Sequence, residues 1–136
     1  MVGGDREKEN LANQASLLSN VIFIDPINKT QVQAMLAYFD VCFIGLTKDP
    51  LFRFGVAPNK LFDYLYAEKP ILYAIESGKY LPAEDLKAIA GAILKLKTLS
   101  TEERNKMGQN GHEYALKNHD YAKLSVKLAN VLLGEK

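Results

Sequence analysis

The sequence is poor in the residues that announce chemistry: of 136 residues, one is cysteine and none is tryptophan. A single thiol, Cys42, excludes an intrachain disulfide. Set inside the apolar run VCFIGL, it reads as a small core residue in a reducing compartment, with no partner arrangement for nucleophilic catalysis. The two histidines, His112 and His119, lie in a helical tail without cysteine or aspartate at ligand spacing, so surface or capping roles are expected and no metal site. No apolar stretch approaches the roughly 20 residues that span a bilayer as a helix, and MVGGDREKEN has no apolar signal-peptide core. A cytoplasmic location is the simplest expectation. Charge of one sign is also missing: 17 basic against 16 acidic residues leave a formal net charge of +1, and the lysines are scattered along helices. That balance argues against nucleic acid as a partner.

What is present suits one soluble α/β domain, with 48% hydrophobic and 24% charged residues. Three short apolar runs, VIFID (21–25), VCFIGL (41–46) and PILYAI (70–75), are rich in β-branched and aromatic residues without clean alternation. Strands of a parallel sheet, buried on both faces, carry that pattern. Between the first two, NKTQVQAMLAYF opens with Asn28 and Gln31 at capping-box spacing and places Val32, Met35, Leu36 and Phe39 on one helical face, which makes a β-α-β unit. From Pro82 onward three helical patterns follow without a strand. The first places Leu86, Ile89, Ala90, Ile93 and Leu94 on one face, the second begins at the capping pair Ser100 and Glu103, and the third carries Leu124, Leu128, Val131 and Leu132. At the start, Met1-Val2-Gly3-Gly4 reads as the stub of a strand turning into the helix DREKENLANQASLL, so the chain is expected to begin inside a fold.

The stretch PLFRFGVAPNKLFDYLYAEKP (50–70) carries the candidate chemistry. Pro58 suits the first turn of a helix, where its missing N–H would be an orphan anyway, and Leu61, Phe62 and Leu65 supply a buried face. In open parallel sheets ligands sit beyond the carboxyl ends of the strands, where loops lead into helices. Gly55 permits close backbone approach, and the amides of Asn59, Lys60 and Leu61 would face an anion such as a phosphate. Lys60 or Arg53 could add charge, and Asp63, one turn further in, could accept hydrogen bonds from the vicinal hydroxyls of a ribose. By spacing alone, a plain connector into a proline-capped helix reads the same way, with Asp63 solvated or salt-bridged.

The run LFRFGVAPNKLFDYLYAEKPILYA, after VIFIDPINKTQVQAMLAYFDVCFIGL, resembles the C-terminal nucleotide-sugar-binding domain of family 4, GT-B fold glycosyltransferases, in the bacterial branch that builds capsule and O-antigen polysaccharides. The resemblance covers nearly all of the chain and is most specific at P-N-K-L-F-D-Y. Gly3, Gly4 and Asp5 resemble the family's glycine-rich turn, Asp40 the opening of its next strand, and STEERNKMGQNGHEYALKNHDY its tail helices. It implies a Rossmann-like sheet with flanking helices and a retaining sugar transfer that needs no metal ion or other cofactor. The donor is a UDP- or GDP-linked sugar. The acceptor is a glycan or lipid-linked glycan held by a preceding N-terminal domain, and a peripheral contact at the inner face of the cytoplasmic membrane is left open.

Residue by residue, the resemblance implies that Asp63 holds the ribose as the second acidic residue of the family's paired-glutamate motif. Lys60 then neutralises the departing diphosphate. Gly55 stands where the first glutamate would, and Ala57 where the branch often has serine. Asn59 and Lys60, with the amides around Pro58 to Leu61, match the segment against the diphosphate, with Arg53, Gly55, Val56 and Ala57 before them expected to bind the donor as well; Pro26 and Ile27 match the base-contacting loop, and Gly3 and Gly4 a turn facing the sugar phosphates. Between Lys79 and Leu81 the family has a further helix and strand, where here almost nothing intervenes. Beside the transferase reading stand an isolated nucleotide-binding module without transfer activity and a structural α/β domain whose apolar partner face favours self-association.

Overall fold

Two of the three apolar runs become strands. In the computed structural model, which describes residues 1–4, 7–56, 58–75 and 84–134, β1 (Cys42–Gly45) pairs in parallel with β2 (Ile71–Ala74), Cys42 opposite Ile71 and Gly45 opposite Ala74. In chain order the helical elements are α1 (Lys8–Gln14), α2 (Lys29–Leu36), a 3₁₀ turn (Pro50–Phe54), α3 (Asn59–Tyr66), α4 (Leu86–Thr98), α5 (Thr101–Asn118) and α6 (Tyr121–Leu133). The chain is α/β, and it divides into two compact units, Met1–Met35 and Leu36–Lys136.

In the first unit the expected strand at 21–25 contracts to one parallel bridge between Val2 and Ile24. Gly3 donates to the Ile24 carbonyl at 3.3 Å and Ile24 to that of Met1 at 2.7 Å. Gly3, at φ +139°, then leaves the conformation a longer ladder would need. Lys8 closes the turn, its ammonium donating to Asp25 at 2.7 Å and to the Ile24 carbonyl at 3.1 Å. That contact holds the exposed Asp25 carboxyl below its ordinary range.

In the second unit the core is small and apolar: Leu36, Cys42, Ile44, Leu72, Ala74 and Ile75 are buried. Alternation along β1 puts Cys42 and Ile44 inward and leaves Phe43 and Gly45 exposed, so this strand is covered on one face where both were expected to be. The Phe43 ring folds along the strand over Gly45, where an added Cβ would stand 2.7 Å from the ring. Helix α3 packs on β1 and α4 on β2.

Helix α3 ends in a Schellman turn. The Lys69 amide donates to the Tyr64 carbonyl and that of Glu68 to the Leu65 carbonyl, at 3.3 and 3.2 Å. Glu68 occupies the left-handed position usually given to glycine, at φ +55°. Its carbonyl lies against Gly108 of α5 so closely that a Cβ there would come 1.9 Å from the oxygen. Gly111, one turn on, receives Leu65, Tyr66 meets His112 at 5.4 Å between ring centroids, and Phe62 meets His119 edge-on at 5.3 Å. The two helices therefore run antiparallel, closest at the glycine end.

The tail helices start where their caps predict. Ser100 and Glu103 form a reciprocal capping box, Asp85 accepts from the Ala88 amide at 2.9 Å, and Asp120 accepts from that of Lys123 at 3.1 Å. Their faces differ from expectation. On α4 the covered residues are Ala88, Ile89, Ala92 and Leu96, whereas Leu86, Ala90, Ile93 and Leu94 are exposed. Apolar residues surround so much of this helix that two faces satisfy the spacing, and contact with β2 selects the one carrying alanines. The expected face of α6 is exposed throughout. On α3, Leu61 and Leu65 are half-buried and Phe62 sits at the surface.

Replacing Gly108 by alanine should lower stability by ~1–3 kcal/mol through the forced backbone shift. In the exposed, uncrowded Gly91 of α4 the same change should raise it by ~0.5–1 kcal/mol. Urea unfolding of both variants checks the contrast, and equal effects would contradict the close contact. The buried Cys42 thiol gives a pH signature. Burial, partly offset by Lys69, pushes it from 9.0 up to about 11. Its contribution is therefore complete below pH 9 and lost as pH rises towards 11. A Cys42→Ala variant should lose part of the alkaline decline, and identical pH profiles would refute the assignment.

Candidate functional site

Beyond the carboxyl end of β1 the chain passes through the 3₁₀ turn before α3, and both parallel strands deliver their carboxyl ends to the same edge. Asp49 starts the 3₁₀ turn by accepting from the Leu51 amide at 2.8 Å, with Pro50 behind it. This capping role was missed in reading the sequence, although an Asp-Pro pair is a usual helix-start signal. The turn ends at Gly55, whose amide donates to the Phe52 carbonyl at 3.0 Å and whose backbone stands at φ +106°, ψ 152°. Side chains avoid that conformation, and an added Cβ would meet nothing within 4 Å, so the glycine is required by its backbone and not by crowding.

Pro58 is the cap residue of α3, with extended backbone at φ −62°, ψ 137°, one position before the first-turn place expected of it. Asn59 and Lys60, the first two helical residues, have amides without an acceptor inside the helix. Leu61 corrects the expected set of three: its amide donates to the Pro58 carbonyl at 2.8 Å. No acidic residue stands in this first turn, so exposed Lys60 adds to the positive end of the helix dipole unopposed on its own turn. Asp63, half-exposed, lies one turn further along. Its neighbour Tyr64 has its phenol raised, first by burial and then by the Cys42 thiol and the Asp63 carboxylate.

The second unit thus brings Gly55, Val56, Pro58, Asn59, Lys60, Leu61 and Asp63 onto one loop and helix start. Ala57, the Arg53 side chain, Asp5, and the expected gap at 79–81 lie outside the described residues. Gly3, Gly4, Pro26 and Ile27 belong to the first unit. There Gly4 stands so close to Pro26 that a Cβ would come 2.9 Å from the ring, so the expected glycine turn and base loop are neighbours.

A cavity of about 500 Å³ lies elsewhere on the second unit, between Phe43 and Leu72 of the sheet, Val41 just before it, and Ile93, Leu96 and Lys97 of α4. Asp40 and Arg104 stand at its rim, 3.8 Å apart. The Arg104 guanidinium is spent on the end of α4, donating to the Leu99 carbonyl at 2.6 Å, so this space joins helix to sheet and offers no uncommitted anion clamp from Arg104. His119 caps α5, its amide donating to the Ala115 carbonyl at 2.8 Å, in agreement with its expected role. Among the described residues no group of three or more His, Cys, Asp or Glu side chains could hold a metal ion. No described helix is long and apolar enough to cross a membrane. No family model, curated protein or solved structure matches the chain.

Proposed function

We propose that the chain is the donor-binding part of a retaining glycosyltransferase of the GT-B fold, taking a UDP- or GDP-linked sugar and delivering it to a glycan or lipid-linked acceptor in surface polysaccharide synthesis. The observation that carries the reading is the β1–loop–α3–β2 passage. A parallel pair sends its first strand through a glycine at φ +106° into a proline-capped, cation-bearing helix start. This is the arrangement in which open α/β sheets hold phosphate groups. The Rossmann-like sheet that the family resemblance implies would extend the described pair, with α3 and α4 packed on β1 and β2 as its flanking helices.

In this reading the Asn59 and Lys60 amides and the Lys60 ammonium meet the diphosphate, and Asp63 accepts from the ribose hydroxyls. As the sugar leaves, negative charge grows on the diphosphate, and donors fixed in place beforehand stabilise it without reorganising. Transfer itself would need the acceptor held by a further domain of the kind the resemblance implies, and the work at the inner membrane face belongs to the same reading.

Calorimetric titration of UDP and GDP into the chain tests the site. One nucleotide should bind saturably, and Lys60→Ala and Asp63→Ala should each raise Kd by roughly five- to tenfold, about 1–1.4 kcal/mol, with unchanged circular dichroism. Absence of binding at roughly millimolar nucleotide, about 4 kcal/mol of affinity, would leave a structural α/β module and overturn the reading.

A further inference from the structure

Every residue of α6, from Tyr121 to Leu133, is exposed, which holds for no other described helix. Yet seven of its residues are large and apolar. Tyr121, Leu124, Leu128 and Val131 recur at alternating spacings of three and four, the seam of a paired helix, with Leu132 beside it. Leu128 is 59% exposed, Val131 69% and Leu132 76%. Lys123, Lys127 and Asn130 share one polar stripe, with Lys127 next to the seam, and Val126 and Leu133 stand on the side away from the seam. The helix is nonetheless well made: Asp120 caps its start and Gly134, at φ +72°, closes its end. Such a face is built to be covered.

We propose that α6 is a homodimerisation surface, two copies of the chain pairing α6 against α6 about a two-fold axis. The five seam residues expose on the order of 600 Å² per copy, already as large as the biggest patch on an ordinary monomer. Doubled across the axis, this gives on the order of 1,200 Å², the lower end of specific interfaces. A two-fold pairing is self-complementary and needs no second surface. Lys127 flanks the seam and Lys123 lies off it, so no charge stands among the five seam residues themselves. An anionic lipid surface fits less well. The polar stripe offers two lysines, and one of them, Lys123, already donates to the Leu116 carbonyl at 3.1 Å.

Sedimentation velocity on the full chain, over a concentration series spanning roughly 1 to 300 µM for an interface of this size, decides the matter. The expected result is a concentration-dependent dimer that Leu128→Glu and Val131→Glu each weaken at least about tenfold, while Asn130→Asp on the polar stripe leaves it intact. Because Leu128 and Val131 are already exposed in the single chain, both variants should keep its helicity and thermal midpoint. A monomer throughout the series would overturn the proposal, as would a dimer indifferent to both glutamates. So would a monomeric chain that binds phosphatidylserine vesicles through this helix, because the occupant is then a lipid surface. Nucleotide binding is read separately, so failure of the dimer leaves the donor site untouched.

Discussion

The approach of Gly108 to the Glu68 carbonyl governs where everything else in the second unit can lie. A backbone oxygen sits where a Cβ would be, so α5 reaches the last turn of α3 more closely than any other residue type would allow. That contact is made to a left-handed residue, Glu68, whose conformation costs roughly 1 kcal/mol in a non-glycine. The strain is held between a Schellman turn on one side and α5 on the other. Directly after it the chain becomes β2: the Pro70 carbonyl accepts from the Cys42 amide at 2.9 Å and starts the parallel ladder. Lys69, between them, donates from its ammonium to the Ala37 carbonyl at 2.9 Å, tying this corner to the approach to β1.

The consequence for the candidate site is positional. Helix α3 is fixed at its carboxyl end, by glycine packing and by the entry into β2, while its amino end stays exposed at the strands' carboxyl edge. Anchoring far from the ligand and openness near it is what a phosphate-binding helix start requires, since the amides must be fixed in direction and still accessible. The aromatic contacts of Phe62 and Tyr66 with His119 and His112 hold the same helix along its length without burying its first turn.

Local signals were the legible part of the sequence. The two strands, the three tail helices, the Ser100–Glu103 box and the burial of Cys42 all rest on chemistry contained within a few residues. What was missed depends on partners distant in sequence. Nothing near Gly108 announces that a carbonyl 40 positions earlier will lie on it, and the apolar residues of α4 admit two faces until β2 chooses one. The 21–25 run looked like a strand because composition reports tolerance of extended backbone, whereas pairing needs a neighbour, and among the described residues Val2 supplies one bridge. At the candidate site, Gly55, Asn59 and Lys60 were placed correctly on the loop and helix start. Leu61 was not available as a donor because the first turn of the helix closes with a 3₁₀-type bond from its amide to the Pro58 carbonyl, which residue types alone do not announce.

The central claim is that the Gly55–Lys60 passage holds a nucleoside diphosphate, and amide-resolved NMR of the labelled chain during a UDP or GDP titration tests it most directly. The account predicts saturable shifts concentrated at the amides of Gly55, Val56, Asn59 and Lys60, with Phe43, Leu96 and Arg104 unmoved. Shifts centred on the Phe43–Arg104 cavity, or none at saturating nucleotide, would contradict it.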